Sequence, residues 1–109
     1  MDTTENLNLP YILPAQAQKH VTHNEAIRAL DALTQLAVLS RTVASPPASP
    51  AGGARYIVPA GATGAWAGEA KALAAWQDGV WSFYAPREGW LAFVLDENRL
   101  LAFKAGDWA

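Results

Sequence analysis

Two histidines near the start of the chain are the side chains best suited to chemistry. His20 and His23 lie in the segment LPYILPAQAQKHVTHNEAIRAL, where their spacing places them on one face of a helix. A zinc site needs three or four ligands in a held geometry, and the chain has no cysteine and no third histidine. The nearest further candidate, Glu25, is expected to act in a helix cap. We therefore expect no metal site and assign both histidines to an anchoring or oligomer interface.

The other polar residues form no recognisable catalytic arrangement. No serine lies in a Gly-x-Ser-x-Gly nucleophile elbow, and the glycines follow neither the Walker nor the GxGxxG order. Acidic residues that could work as paired carboxylates fall in predicted tight turns, where aspartate is favoured for local reasons. These residues are Asp78, Asp96, Glu97 and Asp107. We therefore expect no enzymatic activity, no catalytic residue and no cofactor.

The composition is that of one small domain. The chain has 109 residues, a net charge of -2 and 51% hydrophobic residues, many of them alanine. No basic stripe is present to neutralise phosphates, so we expect no nucleic-acid partner. No apolar run approaches the roughly 20 residues that span a bilayer, and the polar start MDTTENLNLP does not resemble a signal peptide. We expect a soluble protein made in the cytoplasm, without membrane insertion.

The first part of the chain, residues 1–40, is predicted to be an extended arm followed by one amphipathic helix. Pro10 and Pro14 favour extended backbone around the apolar trio between them. Such an arm usually lies against its own domain or a neighbouring subunit. The trio consists of Tyr11, Ile12 and Leu13.

The helix is predicted from about His23 to Leu39. Thr22 and Glu25 have the spacing of a capping box at its start. Because a helix of this length is marginal alone in water, its apolar stripe should pack on a sheet or on copies of itself. The stripe contains Ala26, Leu30, Leu33 and Ala37.

The remainder is predicted to be a Pro/Ser/Gly linker, residues 41–54, and a Trp-rich antiparallel domain, residues 55–109. Asp78-Gly79 is a strong signal for a two-residue type I′ hairpin that pairs Trp76 with Trp81. A similar turn at Ala105-Gly106 would pair Phe103 with Trp108. Between them, DEN closes a further hairpin, with Asn98 in the left-handed conformation. The fold class is therefore α+β: an arm and a helix followed by a small antiparallel meander.

The five tryptophans allow two interpretations. Exposed aromatic rings could stack on sugars, as in carbohydrate-binding modules; the candidates are Trp66, Trp90 and Tyr84. Alternatively, the aromatic rings fill the core of an alanine-rich sheet or a subunit interface, which we favour. For one strand pair, Trp76, Trp81 and Phe83 are expected to share a face.

The segment LPYILPAQAQKHVTHNEAIRALDALTQLAVLS resembles the opening of a domain family of unknown function from alphaproteobacterial prophages and gene transfer agents, which are phage-like particles. RYIVPAGATGAWAG, AAWQDGVWSFYAPREGW and the final LLAF with its tryptophan fit the same pattern. The resemblance covers nearly the whole chain, and QAQKHVTHNEA is its most specific part.

This resemblance implies a virion structural protein, because members are encoded among virion genes and some are linked to head-spike or fibre proteins. The expected partners are other virion proteins, capsid or spike subunits, and further copies of this chain, since spikes and fibres are commonly trimers. The expected location is the particle, assembled in the bacterial cytoplasm. A module that binds host capsular polysaccharide is the alternative.

Overall fold

The structure is a computed structural model, which describes residues 3–11 and 19–109. It divides into two compact units, Met1–Thr34 and Gln35–Ala109. One helix precedes a set of short strands, which confirms the α+β class. The elements are α1 (Lys19–Leu33), β1 (Ala37–Val38), β2 (Arg55–Ile57), β3 (Leu73–Gln77), β4 (Val80–Tyr84), β5 (Leu91–Val94), β6 (Arg99–Lys104) and β7 (Asp107–Trp108). Within the described ranges, no helix has the length and apolar character needed to cross a membrane.

The start of the first unit is a folded loop, where we had predicted extended chain. Thr3 and Pro10 form an isolated antiparallel bridge. Thr4 N–H donates to the Leu9 carbonyl at 2.9 Å, and Leu9 N–H donates to Thr4 Oγ1 at 2.8 Å. The short hydroxyl side chain therefore supplies a partner that a neighbouring strand would otherwise provide.

Both predicted ends of the helix were wrong. Thr22 lies inside α1, which includes Lys19, so it does not cap the helix. At the other end, Thr34 N–H donates to the Leu30 carbonyl at 2.9 Å, and Gln35 then adopts a left-handed φ of 52°. This conformation stops the helix. The apolar residues that follow form a strand instead, because partner strands supply their hydrogen bonds.

The helix also buries a different side from the predicted one. Asn24 and Asp31, seven residues apart and so on one face, are buried, whereas Ala26 and Leu30 of the apolar stripe are exposed. Leu30 is 55% exposed. The carboxylate of Asp31 lies on the buried side because the N-terminal loop donates hydrogen bonds to it.

The second unit contains two small sheets instead of one meander. Sheet 1 has the order β1-β5-β6-β7 with β1 parallel to β5, and sheet 2 is antiparallel with the order β2-β3-β4. Residues 36–40 hydrogen-bond to both sheets. The carbonyl of Val38 accepts from Leu95 N–H at 2.9 Å, while Leu39 N–H donates to the Arg55 carbonyl at 2.8 Å.

All three predicted hairpins are confirmed. Asp78 and Gly79 both have positive φ, 51° and 82°, and place Trp76 opposite Trp81 with ring centroids 5.1 Å apart. The turn at Ala105-Gly106 has the same conformation and brings the rings of Phe103 and Trp108 within 5.3 Å. Between β5 and β6, Asn98 adopts a φ of 54°.

Aromatic rings form the centre of the core around sheet 2. Trp66, which is fully buried, lies 5.3 Å from Tyr56 and 5.2 Å from Trp81, centroid to centroid. Trp76 and Phe83 pack against the same cluster, which confirms the predicted face. Edge-to-face and tilted ring pairs of this kind add to simple burial. The tryptophans thus supply the volume that the alanines of β3 lack.

Residues 41–54, predicted as a linker, lie within the second unit. Thr63 N–H donates to the Ala44 carbonyl at 2.9 Å, and Gly53 N–H donates to the Trp76 carbonyl at 2.9 Å. Gly53 and Ala54 are buried. Backbone hydrogen bonds therefore order this segment in addition to its prolines.

Candidate functional site

The strongest candidate is an exposed apolar surface on sheet 1, which we call the leucine face. It consists of Leu39, Leu91, Leu95 and Leu100, which are 41%, 56%, 49% and 61% exposed. Leu91 and Leu100 lie on one face of the sheet, because their register partners across β5 and β6 are Ala102 and Phe93. Leu39 and Leu95 each lie one residue beyond a strand and continue the same alternation.

The centre of the opposite face of sheet 1 is closely packed, so the pairing register has only one satisfactory position. Val38, Ala92, Val94 and Leu101 are at most 1% exposed. A shift by one residue would bring these side chains to the surface and bury the leucines in their place. The close packing of the opposite face thus keeps the four leucines exposed to solvent.

An ion pair supports one end of this surface. The Arg41 Nε–H and Nη2–H groups donate to the two carboxylate oxygens of Glu97 at 2.8 Å and 3.0 Å. This bidentate contact joins the segment after β1 to the turn between β5 and β6. The hydrogen bond from Arg41 holds the pKa of Glu97 below its usual range.

The leucine face can interact with another molecule only through apolar contact. Single exposed leucines are ordinary on a protein surface, but a contiguous apolar patch marks a place where another molecule binds. The four leucines carry no charge and no hydrogen-bonding side chain. The face therefore suits a large apolar partner surface and has no group that could transfer a proton or hold a metal.

The predicted anchoring residues lie in the first unit. Tyr11 is half-buried, and the guanidinium carbon of Arg28 lies 5.1 Å from its ring centroid, a cation–π contact. His23 is exposed, Leu33 is half-buried and Leu30 is mostly exposed. Three further predicted sites, Ile12, Leu13 and the side chain of His20, lie outside the described residues. Across the described ranges, no group of three histidine or acidic side chains could hold a metal.

The predicted sugar-stacking residues differ in exposure and in the elements that carry them. Trp66 is 0% exposed, so its ring cannot stack on a ligand, and its Nε1–H has no hydrogen-bond partner among the described residues. Tyr84 is half-buried on the face of sheet 2 that carries Leu73, and its hydroxyl donates to Gln77 Oε1 at 2.9 Å. Trp90, also half-buried, precedes β5 and belongs with sheet 1.

Sequence analysis missed the role of Asp31, a buried carboxylate in the first unit. Its Oδ2 accepts hydrogen bonds from Asn6 N–H at 2.9 Å and Asn6 Nδ2–H at 3.0 Å, and its Oδ1 accepts from Leu7 N–H at 2.5 Å. Burial alone would raise the pKa of Asp31, but the hydrogen bonds from Thr4, Asn6 and Leu7 outweigh it and lower the pKa. The carboxylate thus ties the N-terminal loop to the helix.

A small cleft in the second unit is lined in part by polar side chains that already form hydrogen bonds within the fold. Its volume is about 270 Å³, and its lining includes Arg41, Lys71 and Trp108. Each of these side chains already has a partner within the fold: Lys71 Nζ donates to the Gly106 carbonyl at 2.7 Å, and Trp108 Nε1–H donates to the Lys71 carbonyl at 2.9 Å. These hydrogen bonds therefore hold the β6–β7 turn against the loop before β3.

Comparison with known proteins assigns a family and no activity. Residues 23–109 match the family model described as protein of unknown function (DUF2793). No curated protein matches the chain. The match covers the helix from His23 onward and the whole second unit, including the leucine face. This chain belongs to the DUF2793 family.

Proposed function

We propose that this protein is a non-enzymatic structural component of a phage-like particle, either a gene transfer agent or a prophage virion. It would act as the base of a spike or fibre, or as an anchoring subunit, in contact with other virion proteins. The resemblance of its opening motif to virion proteins of alphaproteobacterial particles suggests this setting. The observation that carries the proposal is the leucine face.

The leucine face can supply part of the apolar area of a docking interface. Its four leucines together expose roughly as much surface as two whole leucine residues. Covering them would contribute roughly 3–6 kcal/mol before the entropic costs of association. A surface of this kind suits permanent assembly, because obligate interfaces are more apolar than transient ones.

The exposed apolar residues of the helix in the first unit do not form a second surface of this kind. Leu30 and Val21 are 55% and 52% exposed, and they lie on opposite sides of α1. Each of the two is a single exposed side chain of the ordinary kind. The proposal therefore depends on the leucine face of the second unit.

The test is incorporation into particles. A chain with Leu91→Ser and Leu100→Ser should be depleted at least tenfold from gradient-purified particles, because docking loses most of its apolar area. The matched control is Leu7→Ser, which changes a leucine that is 37% exposed in the first unit. Circular dichroism confirms that each variant is folded. Normal incorporation of the folded double variant, or equal loss with the control, would refute the proposal.

A further inference from the structure

We propose that two copies of this chain associate through strand β4, which pairs antiparallel with β4 of the second copy about a two-fold axis. β4 is an outer strand of sheet 2, and its sequence VWSFY contains neither a charge nor a proline. This inference goes beyond the proposed function, since it requires no other virion protein and uses a different surface from the leucine face.

The backbone register shows which groups of β4 are open. Trp76 uses its own N–H and C=O on the side away from β4: it donates to the Ala54 carbonyl at 2.8 Å and accepts from Gly53 N–H at 2.9 Å. Trp76 and its opposite residue Trp81 are therefore a non-hydrogen-bonded pair. Consequently the N–H and C=O of Trp81 point to the outer edge of the sheet. Phe83, two residues further along, has the same orientation.

No described residue hydrogen-bonds to this outer edge. The backbone bonds outside regular strands include none to Trp81 or Phe83. Proteins usually protect an edge strand with charges, proline, a bulge or very short length. The edge strands of sheet 1, β1 and β7, have two residues each, whereas β4 has five. β4 is thus the one long edge in the described part of the chain that lacks such protection.

The sequence of β4 is complementary to itself in one register. With the two-fold axis at Ser82, Trp81 faces Phe83 of the second copy, and Phe83 faces Trp81 of the second copy. Both facing pairs then consist of outward-pointing residues, so every open N–H and C=O of the two strands gains a partner. If the register shifted by one residue, the outward N–H and C=O groups of one strand would face residues whose groups point inward. If it shifted by two, one of the two outward-pointing residues would have no outward-pointing β4 residue of the second copy opposite it.

The side chains agree with this register. Trp81 beside Phe83 is an aromatic cross-strand pair, a favourable combination on a sheet. Val80, which is 60% exposed, would lie opposite Tyr84 of the second copy and become covered. Ser82 faces Ser82 without steric or electrostatic conflict. The two three-stranded sheets would merge into one sheet of six strands.

Disulfide trapping tests both the interface and its register, since the chain has no cysteine of its own. In Ser82→Cys the two cysteines form a non-hydrogen-bonded pair with Cα atoms about 4.5 Å apart, within the range for a disulfide. Val80→Cys is the register control. Two copies of residue 80 would be offset by four positions, or about 13 Å, too far to bridge. Ser49→Cys, at an exposed site, measures random collision.

We expect S82C to form a disulfide-linked dimer at least tenfold faster than V80C or S49C under mild oxidation. Light scattering on the unaltered chain should give a mass of twice 11.7 kDa. Equal cross-linking of V80C and S82C would overturn the register. A monomeric mass at the highest soluble concentration, or a dimer in which S82C is not trapped, would overturn the interface. The mass measurement stands even if a cysteine variant does not fold.

Discussion

Replacing Asp31 by asparagine changes a single buried group and tests how the first unit is held together. Asp31 is 1% exposed and accepts hydrogen bonds on both carboxylate oxygens, two from Asn6 and one from Leu7. The asparagine amide keeps one oxygen and places an NH₂ group where the other was. In either orientation, at least one backbone N–H of the loop then faces a donor instead of an acceptor.

The expected effect follows from the strength of these bonds. A hydrogen bond to a charged group contributes about 1.5–3 kcal/mol, and a buried donor without a partner keeps its full desolvation penalty. Amide protection at Asn6 and Leu7 should therefore fall roughly ten- to a hundredfold, since about 1.4 kcal/mol corresponds to a factor of ten. Hydrogen exchange measured by NMR follows both amides directly.

Two controls limit the interpretation of this experiment. Asp96→Asn makes the same chemical change at an exposed turn and should leave both amides unchanged. In the second unit, the amide of Val58, which donates to the Ala72 carbonyl at 3.0 Å, serves as an internal reference. If D31N leaves Asn6 and Leu7 as protected as before, the carboxylate does not hold the loop.

The same group predicts a dependence on pH. Its hydrogen bonds lower the folded-state pKa of Asp31 below the ordinary value of 3.8. The unfolded chain therefore binds a proton more readily, and the stabilising contribution is complete well above pH 3.8. It declines as the pH falls from there towards the lower folded-state pKa. Loop protection should follow this decline in the unaltered chain and not in D31N.

Three further experiments test the second unit. Gly79→Ala should destabilise it by about 1 kcal/mol in thermal melting, because a φ of 82° is strained for a residue with a Cβ. No atom lies within 4 Å of the added Cβ, so the effect comes from the backbone conformation alone. Gly52→Ala, at a position without a positive φ, should not destabilise the unit. Glu97→Gln should lower the melting temperature at neutral pH, and the difference should shrink with added salt, because the ion pair with Arg41 is partly exposed. Titration with capsular polysaccharide should leave tryptophan fluorescence unchanged; saturable quenching that Trp90→Ala abolishes would favour the carbohydrate-binding alternative.

The parts of the fold that sequence analysis predicted are those determined by adjacent residues. Asp78-Gly79 and Ala105-Gly106 specify their turns through conformations that few residue pairs adopt. Once the turn is set, counting outward places Trp76 opposite Trp81 without any knowledge of the rest of the chain. Hairpins are predictable for this reason.

The parts that sequence analysis missed depend on residues distant in the chain. The helix was predicted to continue to Leu39 because its apolar periodicity continues, but Ala37 and Val38 pair with Phe93 and Val94 of β5. Asp31 lies outside the predicted apolar stripe of the helix, so its burial was not expected. Its partners Asn6 and Leu7 lie 25 and 24 positions away, and no local pattern indicates them.

The candidate surface was missed for a related reason. In WLAFVL and RLLAFK the leucines resemble core residues, and alternation alone cannot show which face of a sheet is covered. The packed alanines and valines of sheet 1 decide the matter, because they occupy the inner positions and leave Leu91 and Leu100 outside. Only the three-dimensional arrangement identifies the leucine face.

The distribution of apolar side chains is itself an argument for assembly. Stability alone would favour large aliphatic side chains inside and alanine outside, since each buried leucine contributes about 1.5–3 kcal/mol. Here Ala74, Ala75 and Ala92 are at most 1% exposed, while Leu91 and Leu100 are more than half exposed. Buried tryptophans compensate for the small alanines. Leucines on the surface under these conditions are what the proposed function predicts, since another virion protein would then cover them.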